Sequence, residues 1–336
     1  MARTCAMILL LCLAALRPAM AWSPQGHQTV GAIADRLLVG TRAGEEVRRI
    51  LGDESLRTAS LWADCLKSVT ERLPQHYIAN PRYKECHAFE SSEGRVAMED
   101  YVRRNLDRCH RGTGQEACHR QYHYADVDVR RQAYSRRHVG ASDHDVVAAI
   151  EACVAVLQGR PAPLPFDIAS RREALRLLAH FVGDIHQPLH VGTVYLDEDG
   201  IPLDPDLRGA PHGSDTHGGN ALEAGRDRLH GVWDRIPPRL KADRFAGRGA
   251  SQAAAVARTA GLKEGWAEAW ATESLHAAAG TYAGMRFGAK GRDGASRSTW
   301  QVRQMPRMGV PRDLQQERQL VKAGARLAQL LEAVWP

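Results

Sequence analysis

Residues 180–190 read HFVGDIHQPLH, and the preceding EALRLLA at 173–179 has apolar positions at helical spacing. A helix through this stretch puts His180 and Asp184 four residues apart on one face, and Pro188 stops it before His190. Three metal-capable side chains thus ride on one short, stiff segment. Imidazole nitrogens and a carboxylate are donors that zinc takes, and the two oxygens of Asp184 can reach two ions at once. A single buried histidine more often serves as an internal hydrogen-bonding group, so the reading depends on matching groups elsewhere. LHGVWDRIPP at 229–238 supplies one, with His230 and Asp234 again four apart and Pro237 ending the turn.

Working outward, LRTASLWADCLKSV at 56–69 reads as helical, with Thr58 or Ser60 available as a cap, and carries Asp64 with Lys67 one turn further on. That pairing suits a surface ion pair, or a carboxylate ligand beside a cation aimed at an anionic substrate. QYHYADVDV at 121–129 suits an extended segment and contains His123, Tyr124 and Asp126. At the other end, WSPQGHQTVGAIADRLLV at 22–39 forms a helix soon after Pro24, with Trp22 and His27 at its entrance. Residues 1–21 read as an export signal: Arg3 is a basic start, AMILLLCLAAL a short apolar run, and Ala19-Met20-Ala21 a small-residue cleavage site. Cleavage after Ala21 makes Trp22 the first residue, whose free amine and carbonyl oxygen can chelate a metal.

Composition bounds the remaining possibilities. The 336 residues, 44% hydrophobic and 25% charged, suit a soluble globular protein, and no apolar run is long enough to span a bilayer. Loss of Arg3 and Arg17 with the signal lowers the formal net charge from +6 to +4, a mildly basic balance compatible with polyanionic substrates. Cys5 and Cys12 leave with the signal. Cys65, Cys86, Cys109, Cys118 and Cys153 remain, an odd set that implies one or two disulfides and a free thiol, and none has metal-binding C-x-x-C spacing. Residues 70–121 lose periodicity and read as an insertion with one helix around MEDYVRRNLDR. A patterned helix, HDVVAAIEACVAVLQG, closes at Gly159; residues 191–217 form a polar loop leading to GGN at 218–220. The stretch 239–285 is alanine-rich and helical, 286–311 reads as a mobile basic loop, and an amphipathic helix ends the chain. The predicted fold class is all-α, a mostly helical domain over 22–336.

Trp22 with His27, WAD at 62–64, HY at 123–124, HFVGDIHQPLH, GGN and LHGVWD resemble, in identity and order, the zinc-dependent single-strand nucleases of the S1/P1 type. WATES at 270–274 and the AGARLA helix extend the likeness to nearly the whole chain after residue 21. The resemblance implies a helical domain built around three zinc ions. It places Asp64, His123, His180 and Asp184 on one ion; the Trp22 amine and carbonyl, His27 and Asp184 on its neighbour; and His190, His230 and Asp234 on the third. It further implies zinc-activated hydroxide attack on phosphorus with the 3′ oxygen leaving, since zinc lowers the pKa of bound water from ~15.7 towards ~7. The expected substrates are single-stranded DNA and RNA, cut to 5′-phosphorylated products, with 3′-nucleotides as a further class. Lys67 matches a basic position beside the phosphate, Tyr124 an aromatic platform for an unpaired base, and Asp126 an acid on the base edge. Asp64, Lys67 and Asp184 are the expected catalytic residues. A periplasmic or secreted monomer, free of membrane insertion once the signal is removed, is the expected form.

His76-Tyr77 also reads HY and competes with His123; the acid at 126 and the following VVAAI helix favour His123. His186 lies inside the central stretch but matches no ligand position. His212 and His217 belong to a loop expected near the third ion, whereas His87, His110, His119, His138, His144 and His276 are expected to be structural or superficial. Two other activities fit the same motifs less well: a zinc phospholipase C, and a noncatalytic zinc- or nucleic-acid-binding protein. Phospholipases typically carry glutamate where Asp234 stands, and every ligand position here is filled, which disfavours a decayed site.

Overall fold

Helices carry most of the chain in the computed structural model, which describes residues 22–81, 83–109, 116–305 and 309–336. In chain order they are α1 Pro24–Leu37, α2 Arg42–Leu51, α3 Leu56–Ala59, α4 Trp62–Cys65, α5 Ser92–Arg104, α6 Cys118–Gln121 and α7 Val146–Leu157. There follow α8 Arg171–Ile185, α9 Pro205–Arg208, α10 Leu229–Asp234, α11 Ala242–Ala253, α12 Trp266–Tyr282 and α13 Gly309–Val334. Among the described residues six strands accompany them: β1 Val127–Asp128, β2 Gly192–Thr193, β3 Leu222–Ala224, β4 Asp227–Arg228, β5 Arg286–Arg292 and β6 Ser298–Gln304. The expected signal segment, with Ala21, Cys5 and Cys12, and His110 lie outside the described residues.

The central helix is α8. Ser170 caps it by accepting the Glu173 N–H, and every residue from Leu177 to Ile185 is buried. A helix apolar on all sides belongs in a core, and α8 packs against α7, α13, α1, α3 and α4. Asp145 caps α7 through the N–H groups of Val147 and Ala148. The α3 cap is Ser55, accepting from Thr58, rather than Thr58 or Ser60; the 56–68 stretch breaks into α3, α4 and a 3-10 turn instead of one longer helix. Disulfides Cys65–Cys86 and Cys109–Cys118 staple the inserted region, and Cys153 is free and buried. No helix among the described residues is long and apolar enough to cross a membrane.

Three expectations need correction. The fold is mostly helical but not all-α: a four-stranded sheet in the order β4-β3-β6-β5 forms a second layer, and β1 pairs with β2 in parallel. Within QYHYADVDV only Val127–Asp128 is a strand. The supposed mobile loop at 286–311 is largely the β5–β6 hairpin, with α13 starting at Gly309; residues 306–308 lie outside the described set. Glycines and arginines dilute its alternation, leaving Phe287, Trp300 and Val302 as sparse apolar marks. What holds the hairpin is tertiary. Trp300 is fully buried in a cluster with Leu189, Leu222, Leu229 and Trp233, and its backbone N–H bonds the Ala221 carbonyl at 2.9 Å.

Candidate metal centre

Three buried ligand groups converge where α8 and its exit meet α1, α4 and α10. Asp64, His123 and His180 form one, His27, His180 and Asp184 a second, and His190, His230 and Asp234 a third; the ligand atoms of each lie within 4.8 Å of one another. The first two groups share α8. Asp184, fully buried, turns Oδ2 towards His123 Nδ1 (3.0 Å) and His180 Nε2 (3.2 Å), and Oδ1 towards His27 Nε2 (3.4 Å). One carboxylate therefore faces both groups with separate oxygens. His180 also lies against both, its ring stacked on His27 at 3.8 Å between centroids and its Nε2 3.8 Å from Asp64 Oδ1.

Hydrogen bonds outside the groups orient the rings. The Nδ1 of His180, His190 and His230 lies 2.6, 2.8 and 2.8 Å from the carbonyls of Ser60, His123 and Gly218. A carbonyl only accepts, so each Nδ1 carries the proton and each Nε2 presents a lone pair inward. His190 Nε2 and His230 Nε2 then face each other at 3.1 Å with no proton of their own. A cation between them relieves that opposition. Both ring nitrogens of His27 and Oδ1 of Asp184 are buried without a hydrogen-bond partner, a costly condition that a metal ion satisfies. Burial holds His27, His123 and His190 well below the ordinary imidazole range, so their lone pairs are free. It pushes Asp184 up to about 6 and Asp234 well above the carboxylate range. The donor set thus fits a borderline-soft divalent metal ion.

Trp22 is fully buried and pinned at both sides of the centre: its indole N–H donates to the Gly183 carbonyl at 2.9 Å, and the Ser23 N–H to the Asp234 carbonyl at 2.9 Å. Lys67 donates to Asp64 Oδ1 at 2.7 Å, largely buried beside the first group. Burial opposes its charge, but the Asp64 and Asp184 carboxylates outweigh that and raise its pKa. Tyr124 follows His123 half-buried and bonds Glu116, a residue of the stapled insertion. Asp126 is buried, and His217 stands between it (3.8 Å) and Asp215 (3.4 Å), forming a further acid–imidazole group.

Of the competing histidines, His76 is exposed and apart, while His123 is in the centre. His186 faces away: Nδ1 donates to Val182 O and Nε2 accepts from Arg326. Two contributors were not singled out from the sequence. Gln187 donates to Asp234 Oδ1 at 2.9 Å, and Asp215 completes the Asp126 corner. Position 187 was legible in principle, as the residue between two ligand-bearing turns; Asp215 sits in a loop without periodicity and carried no signal.

Gly183 shows how tightly the centre is packed. A Cβ there would stand 2.7 Å from His27 Nδ1. Gly183→Ala, although it favours the helix by about 1 kcal/mol, is expected to displace His27 and lose about one metal equivalent with at least tenfold of the activity. Metal analysis by plasma mass spectrometry checks this; full metal content would refute the steric reading.

A family model described as S1/P1 Nuclease matches residues 22–111 and 105–335. A curated relative, Endonuclease 1 of Arabidopsis thaliana, is 46% identical over 63 residues, a stretch that covers 19% of this chain and 15% of that relative.

Proposed function

This chain belongs to the S1/P1 nuclease family, and on that premise we propose that it is a zinc-dependent endonuclease preferring single-stranded DNA and RNA and releasing 5′-phosphorylated products. The observation that carries the reading is Asp184, whose two oxygens address two ligand groups while a third group takes its first member, His190, from the segment that follows the same helix. Trp22, His27, Asp64, His123, His180, Asp184, His190, His230 and Asp234 would hold three zinc ions. Bound zinc would polarise phosphoryl oxygens and acidify water for in-line attack.

The chain's own residues do the rest. Lys67, kept charged by Asp64, offers a point charge to a nonbridging phosphate oxygen. Tyr124 offers a π-face beside the centre. Stacking needs an unpaired base and tolerates any base, which favours single strands of either DNA or RNA. Asp126 accepts from a base edge, and His217 holds that carboxylate in place; Asp215 and then Asp126 raise its pKa to about 10, so it is cationic at neutral pH, against the opposing effect of burial. The disulfides, the export signal expected at 1–21 and the family together favour a periplasmic or secreted protein.

The test offers the purified protein single-stranded DNA, single-stranded RNA, duplex DNA and phosphatidylcholine in parallel, before and after chelation. Single strands should be cut at least about fivefold faster than duplex, from a stacking contribution of about 1–3 kcal/mol per base; the lipid should be untouched, and zinc should restore the chelated protein. Lipid hydrolysis without nucleotide release would overturn the reading, as would equal rates on duplex and single strands.

A further inference from the structure

The helix α10 carries two members of the third ligand group, His230 and Asp234, yet it is only six residues long and has little intrinsic stability. Its end is also incomplete by sequence. In a continuing helix the Trp233 and Asp234 carbonyls would accept from the N–H groups of residues 237 and 238, and both of these are prolines. Neither carbonyl can be satisfied along the helix, and the backbone leaves it at Arg235 with ψ of 107°. The donors have to come from elsewhere in the chain.

Gln316, fully buried in α13, is the main source. Its amide nitrogen donates to the Trp233 carbonyl at 2.7 Å and to the Arg235 carbonyl at 3.1 Å, so both of its N–H bonds are used. The Asp234 carbonyl between them accepts from the Ser23 N–H at 2.9 Å, and the Asp234 carboxylate accepts from Gln187 at 2.9 Å. Three consecutive carbonyls centred on one ligand are thus held by groups from distant segments. Gln316 Oε1 is buried with no hydrogen-bond partner, so the two donors are what this residue contributes. One turn further along α13, buried Gln319 donates to the carbonyl of His186, the residue that ends α8, at 2.8 Å. Two amides on one face of α13 therefore grip the ends of both ligand-bearing helices.

We propose that Gln316 is a positioning residue for the third metal site: by closing the carbonyls on either side of Asp234 it sets where α10 presents that carboxylate, and α13 thereby fixes the third site against the pair on α8. The inference rests on the zinc-nuclease reading. A buried hydrogen bond that served stability alone would weaken every site together with the fold. One that places Asp234 weakens a single site.

The test reads metal binding rather than turnover. Wild type, Asp234→Asn, Gln316→Met and Asn105→Leu are stripped of metal, melted, and titrated with cobalt; the absorption at the third site is the difference between wild type and Asp234→Asn. Gln316→Met keeps the length and bulk of the side chain and removes both donors. It should weaken cobalt binding in that difference band by about tenfold to a hundredfold, the usual effect of losing an outer contact to a metal ligand, and leave the rest of the cobalt signal unchanged. Asn105 is an equally buried amide that donates to two carbonyls, those of Tyr101 (3.0 Å) and Asp167 (2.8 Å), neither on a ligand-bearing element. Asn105→Leu should lower the melting temperature without moving the third-site titration. An unchanged third-site titration in Gln316→Met would overturn the proposal, as would an equal weakening in Asn105→Leu. Should Gln316→Met not fold, Gln316→Ala, which leaves room for water at the two carbonyls, should show the same selective weakening at smaller size. The selective weakening in a protein that cuts no nucleic acid would sink the nuclease reading and leave the positioning role standing; wild-type cobalt binding by Asp234→Asn would overturn the third site and the role of Gln316 with it.

Discussion

Asp184→Asn is expected to remove two metal equivalents together and to lower phosphodiester turnover by at least about a thousandfold, a loss of roughly 4 kcal/mol in transition-state stabilisation. The substitution keeps the shape and removes one ligand oxygen and the charge. In one orientation the amide nitrogen faces His123 and His180; in the other it faces His27. An amide nitrogen with two protons does not coordinate, so either orientation leaves one group without its carboxylate and both without its charge. The third group, with Asp234 as its own acid, should keep its ion. Metal counting on the folded variant, with thermal melting as a check on folding, reads this directly. Retention of every metal ion with near-normal turnover would show that Asp184 does not bridge.

An extra residue ahead of Trp22 should be nearly as damaging. The indole is locked to the Gly183 carbonyl and the next backbone N–H to the Asp234 carbonyl, so Trp22 cannot shift to make room. In the chain proposed to begin at Trp22, an added peptide bond would convert the terminal amine, a good ligand, into an amide nitrogen with no lone pair to give. Loss of about one metal equivalent and more than about a hundredfold of the activity is expected, in a protein whose melting transition is otherwise intact. Full activity with a blocked or extended terminus would remove Trp22 from the ligand set.

The parts of this molecule legible in the sequence are those that repeat a local rule. His180 with Asp184 and His230 with Asp234 announce themselves by i, i+4 spacing and a following proline, and both pairs stand in buried helices that end where expected. His123 was separable from His76 only by its neighbours, because both occur as His-Tyr; burial distinguishes them at once. The hairpin was missed because its stability resides in one distant contact, Trp300 against the Leu222 and Trp233 cluster, which no window of local sequence reveals. The Asp126 corner was half legible for the same reason: Asp126 belongs to a motif, but Asp215 and His217 reach it from a loop about ninety positions later in the chain.

The disulfide from Cys65 has a wider meaning. Cys65 directly follows Asp64, and its bond to Cys86 clamps the 3-10 turn Lys84–Phe89 against the short helix that presents that carboxylate. In a reducing interior the clamp is not made, and a four-residue helix has little intrinsic stability to hold Asp64 in register. The covalent link thus supplies from outside the helix the rigidity that four residues cannot supply themselves, and the position of the Asp64 carboxylate is tied to the oxidation state of a neighbouring cysteine.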